Sequence, residues 1–273
     1  MKKPSATWDA RKVLACAGLV WVVASGLAGC ASRPGSGPAK DTITESDETE
    51  SRRRARIRME LAVGYFEQGQ AKVALDEVKK VISIDPDFPD AYNLRGLIYM
   101  RLNDFPQADD SFRRAVTLNP KDPNLRHNYG WLQCQEGHFD DAQRSFDAAL
   151  ADPLYLGRAK TLLAQGVCQA RAGKKADAER TLARAYELDA GNPVTGYTLA
   201  SLLFQRGDFA RAQFYIRRLN NSELANAESL WLGIKVERRL DDRVAMRQLA
   251  EQLKKRFPQS REAALYDKGA FDE

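Results

Sequence analysis

The chain has 273 residues, 44% of them hydrophobic and 29% charged, so it can bury a sizeable core and most of it should fold. Lys and Arg total 42 against 37 Asp and Glu, a net charge of +5; a nucleic-acid binder usually carries a stronger and more clustered excess. Two histidines, His127 and His138, and four cysteines argue against a zinc enzyme or any other bound metal.

The chain opens on the basic residues Lys2, Lys3, Arg11 and Lys12, and an uncharged run from Val13 to Ala28 follows. Sixteen residues at about 1.5 Å each span about 24 Å, short of the roughly 30 Å hydrocarbon core of a bilayer. A basic stretch before a short apolar one reads as an export signal over residues 1–29. The string Leu27-Ala28-Gly29-Cys30 resembles the lipobox of bacterial lipoproteins. That resemblance implies cleavage before Cys30 and acyl chains on it, enough for stable anchoring in a bilayer. Ala31 follows, not Asp, which in such lipoproteins implies the outer membrane, with the protein facing the periplasm. Residues 1–29 hold four basic side chains and one acidic, so without them the net charge falls to +2. Neither nucleic acid nor a small-molecule substrate is expected as a partner.

Residues 30–51 hold Pro, Gly, Ser, Thr and acids, with Ile43 alone among large apolar residues. Such a stretch cannot bury enough apolar surface to offset its ordering entropy, and it reads as a flexible tether.

From residue 52 the chain repeats itself. A turn residue recurs at Gly69, Asn103, Gly137, Gly173 and Gly207, at spacings of 34, 34, 36 and 34. Gly96, Gly130, Gly166 and Gly233 mark a small site on the first helix of four units, and Ala62 and Ala200 stand there in two others. Bulky residues follow at Val78, Phe112, Phe146, Leu182, Ile216 and Leu249. A small residue lets two helices approach closely, and the bulky one fills the space beside it. In the last unit Leu240 stands where the turn Gly is expected. Six such units in phase, beginning near residues 55, 89, 123, 159, 193 and 226, resemble the tetratricopeptide repeat. That resemblance implies an all-α solenoid over residues 52–258, with about twelve helices in a right-handed superhelix. Residues 259–273 either cap it or hang free.

In tetratricopeptide arrays, positions 2, 5, 9 and 12 of each first helix face the concave side. Mapped here they include Met59, Val63 and Phe66, then Asn93, Leu97 and Met100, then His127, Trp131 and Cys134, and later Tyr197, Ser201 and Phe204. The expected partner groove is the stripe Met59, Val63, Phe66, Asn93, Leu97, Met100 and Trp131. An exposed apolar strip suits a polypeptide partner, and Met adapts its packing. Arg101, one position beyond, is a rim cation. Cys134 and Cys168 lie late in the first helices of adjacent units, and form either a disulfide or two buried thiols. No GxSxG, GxxxxGK[ST] or HExxH string is present, so no catalytic residue or cofactor is assigned.

Three segments together resemble one family of lipoproteins. They are His127-Asn128-Tyr129-Gly130-Trp131-Leu132-Gln133-Cys134-Gln135, Ala149-Leu150-Ala151-Asp152-Pro153-Leu154-Tyr155, and Ala227-Glu228-Ser229-Leu230-Trp231-Leu232-Gly233-Ile234. The family is the PilW/PilF type IV pilus biogenesis lipoproteins, the pilotins of the pilus secretin. The resemblance implies a non-enzymatic protein that binds secretin subunits and promotes their outer-membrane localisation and multimerisation, on which pilus biogenesis and twitching motility depend. A tetratricopeptide scaffold of another envelope machine, for barrel assembly or cell-wall enzyme regulation, is the alternative.

Overall fold

Small residues at fixed spacing allow helices to pair closely, and a computed structural model shows them doing so. It describes residues 48–272. The expected signal, Cys30 and nearly all of the tether lie outside the described residues.

Thirteen helices and no strand occur among the described residues. Six antiparallel pairs follow one another: α1 (Glu50–Glu67) with α2 (Ala71–Ile84), α3 (Pro89–Arg101) with α4 (Phe105–Leu118), α5 (Pro123–Gln135) with α6 (Phe139–Leu150), α7 (Arg158–Arg171) with α8 (Lys175–Leu188), α9 (Pro193–Arg206) with α10 (Phe209–Asn220), and α11 (Ala227–Arg239) with α12 (Arg243–Arg256). A thirteenth helix, α13 (Arg261–Lys268), packs on α11 and α12 and caps the array. Ser260 starts it by accepting from the Ala263 amide at 3.1 Å, and Gly269 ends it at φ 67°.

The pairing follows a rule of complementary volume. The small site and the large residue lie sixteen positions apart in all six units. Where the large residue is Phe or Leu, the small one is Gly. A Cβ on Gly96 would stand 2.7 Å from the Phe112 ring, and one on Gly166 would stand 2.6 Å from Leu182. Where the large residue is Val78 or Ile216, Ala62 or Ala200 fits, and all four are buried.

The sixth unit corrects the expected phase. The left-handed turn residue there is Asp241, at φ 55°, not Leu240. Asp241 lies 34 residues after Gly207, so the turn keeps the repeat. The separation from small site to turn is one longer in α11, and Leu249 still reaches Gly233. At the other end, α1 begins at Glu50, inside the segment expected to be tether. Thr49 caps it and Glu48 already bonds Arg56.

The first helices of adjacent pairs touch one another along the array, α1 to α3, α3 to α5, and so on to α11. Among the described residues no second helix touches the next second helix. The first helices therefore form the tighter, inner side of the curve, and the second helices form the outer side.

Candidate functional site: the inner face of the solenoid

Neighbouring first helices are stitched across this face by contacts about one repeat apart in sequence. Asn128 Nδ2 donates to Asn93 Oδ1 at 2.9 Å. Arg171 donates to the Gln135 amide oxygen at 3.1 Å. Cys134 and Cys168 are joined as a disulfide with Cα atoms 5.7 Å apart, which ties α5 to α7.

These contacts change the expected character of the stripe. Met59, Val63 and Phe66 are half-buried and pack on a cluster that includes Leu94 and Ile98 of the next unit. Leu97 and Met100 are half-buried against Phe112 and Leu132. Trp131 packs on the cluster that holds the disulfide. The apolar members of the expected stripe are thus divided among three clusters, and none of its members is fully exposed. Arg101 is not a free rim cation either. It lies over Phe66 and bonds its carbonyl oxygen.

Two residues mapped to the face leave it altogether. Cys134 is fully buried in the disulfide. His127 is 5% exposed, and its Nδ1 lies 2.9 Å from the Thr161 hydroxyl, which also bonds the Tyr155 hydroxyl at 3.1 Å. Burial, helped by the Lys160 charge, pushes the imidazole down to about 4, so His127 is neutral at physiological pH. Tyr155 belongs to the loop that carries the two extra residues of the repeat. It turns inward and leaves Leu154 and Leu156 outside, at 84% and 100% exposure. The most exposed apolar side chains are therefore on this loop and on α10, where Phe214 is 63% exposed, rather than in the stripe.

At its C-terminal end the inner face opens into a cleft. Tyr197, Ser201 and Phe204 of α9, Glu228, Trp231 and Lys235 of α11, and Glu262 of α13 surround it. The three α9 residues are the ones the positional rule selects. Sequence alone assigned no inward positions to the sixth unit, whose Gly233 and turn residue are out of step. Counted from Asp241, the same rule selects Glu228, Trp231 and Lys235. Trp231 stacks on Phe271, with centroids 5.4 Å apart, so the capping segment supports the cleft floor. Lys235 Nζ lies 5.6 Å from the Trp231 ring and 5.8 Å from the Phe204 ring.

No group of three or more His, Cys, Asp or Glu suited to a metal occurs among the described residues. No helix of the described residues is long and apolar enough to cross a membrane.

Tetratricopeptide repeat models match residues 64–103, 89–122, 111–144 and 130–193. The type IV pilus assembly protein PilF of Pseudomonas aeruginosa is 26% identical over 246 residues, which cover 90% of this chain and 95% of PilF. An uncharacterized protein of Haemophilus influenzae is 27% identical over 135 residues, 50% of this chain and 75% of that one. The crystal structure of PilW, a widely conserved type IV pilus biogenesis factor, superposes with a TM-score of 0.72 at 28% identity, over 78% of this chain and 97% of PilW. The solved Pseudomonas aeruginosa PilF gives 0.72 at 23% identity, over 81% and 100%.

Proposed function

Because the chain belongs to the PilF/PilW family of type IV pilus tetratricopeptide-repeat proteins, we propose that it is a pilotin: an outer-membrane lipoprotein that binds the secretin of the pilus and promotes its localisation and multimerisation. The observation that carries this reading is the match to PilF along nearly the whole of both chains.

The residues suggest how the parts divide the work. Acyl chains on Cys30 hold the protein at the periplasmic face of the outer membrane, and the segment after Cys30 gives the array reach. The inner face meets an apolar secretin segment. Met59, Val63, Phe66, Leu97, Met100 and Trp131 offer half-buried apolar side chains, and the two thioethers adapt to what meets them. Asn93 contributes an amide to the partner's backbone. The role is one of binding, and no bond is made or broken.

A deletion strain tests it, with secretin multimers followed on a denaturing gel. Loss of heat-stable multimers and of twitching is expected, and Cys30→Ser should leave multimers in the wrong membrane. Trp131→Glu should weaken co-purification of the secretin without unfolding the array. Normal multimers and normal twitching in the deletion strain would overturn the reading.

A further inference from the structure

The C-terminal cleft differs in chemistry from the rest of the inner face. It encloses about 310 Å³, at the small end of the range for ligand clefts. Its floor is aromatic, made by Phe204 and Trp231, and its charges are separated. Glu228 and Glu262 stand at one end beside Tyr197. Burial, then the field of these two carboxylates, raises the Tyr197 phenol. Neither glutamate has an ion-pair partner among the described residues. Each sits in the first turn of its helix, α11 or α13, where the positive end of the helix tolerates a carboxylate. Lys235 stands at the other end, over both rings.

The dimensions fit a short stretch of chain. Tyr197 to Phe204 is about 10 Å along α9 at about 1.5 Å per residue, the length of three extended residues at about 3.3 Å each.

We propose that this cleft binds a three-residue extended segment of a partner polypeptide in which a basic side chain is flanked by apolar ones. The basic group lies between Glu228 and Glu262, and an apolar side chain lies on Phe204 and Trp231. The charge and shape of this cleft do not depend on what the N-terminal half of the inner face holds, and its partner need not be a secretin.

The full-length chain in detergent, titrated calorimetrically with capped Arg-Leu-Leu and Leu-Leu-Arg and with their Gln counterparts, tests this directly. One Arg peptide should bind at least tenfold more tightly than its Gln counterpart. The advantage should shrink toward unity at high salt and in the Glu228→Gln, Glu262→Gln double variant. The single variants Glu228→Gln and Glu262→Gln should each lose part of the advantage, which gives a second reading should the double variant misfold. Equal binding of Arg and Gln peptides, no binding of any of them at millimolar concentration, or an Arg preference unchanged in the double variant would each refute the proposal. Secretin multimers are unaffected by any of these outcomes, so the two readings fail separately.

Discussion

Arg101 lies across the face of Phe66, its guanidinium carbon 4.3 Å from the ring centroid, and it donates a 2.7 Å hydrogen bond to the Phe66 carbonyl oxygen. One side chain of α3 thereby closes the end of α1, covering its last aromatic residue and adding a second donor to a carbonyl that already accepts from the Gly69 amide. Arg101→Ala should lower stability by about 1 kcal/mol, as expected for one exposed cation–π contact and one solvent-accessible charged hydrogen bond. Arg101→Lys should recover part of the loss, since the charge remains and the planar fork does not. Urea midpoints of the three proteins give the answer, and equal midpoints would mean the contact does not persist in solution.

Volume complementarity predicts a coupled pair. Gly96→Ala drives a methyl to within 2.7 Å of the Phe112 ring. The overpacking should cost about 1–3 kcal/mol, more than the helix propensity gained. Phe112→Ile alone opens a cavity and also destabilises. Together the two changes recreate the Ala200–Ile216 pair of the fifth unit, so the double variant should be more stable than the sum of the singles by about 1 kcal/mol or more. Strict additivity in a double-mutant cycle would break the rule.

His127 gives the stability a specific acid dependence. Its folded value is about 4 and its unfolded value about 6.5. Above 6.5 both states are neutral. Below it the unfolded chain takes a proton that the folded protein refuses, so stability falls as the pH drops from about 6.5 to about 4. At about 1.36 kcal/mol per unit the full loss is roughly 3 kcal/mol. His127→Gln should be less stable than the parent at pH 7.5, yet lose about 3 kcal/mol less over that window. An identical slope in denaturation series would mean that the imidazole is not held neutral.

The disulfide closes a loop between residues 34 apart. Chain entropy alone then stabilises the array by about 3–4 kcal/mol, concentrated in the third and fourth units. Reduction, or Cys134→Ser with Cys168→Ser, should lower the melting temperature and increase amide exchange in α5 to α8 before the outer units change. Uniform loss of protection along the chain would contradict this.

Much of the molecule is legible in one dimension because its contacts recur at one-repeat spacing. Gly69, Asn103, Gly137, Gly173 and Gly207 all take the positive φ that a tight turn between two helices demands, and that demand is local. The disulfide was reachable as one of two outcomes, since both cysteines occupy the same place in neighbouring units. The sixth unit misled because its Gly233 and its turn residue Asp241 are one position out of step with each other. A single marker could not reveal that, whereas the 34-residue interval from Gly207 could.

Sterics within a unit fix the period, so the helical solenoid, the number of its units and the inward side of the first five first-helices can be read from the residues alone. How open that inward side is depends on packing between units. Whether Phe66 is bare or covered depends on a side chain 35 residues away, and whether His127 points outward or in depends on Thr161 and Tyr155. A periodic pattern places side chains on a face, but the neighbouring unit decides whether they remain there in contact with water.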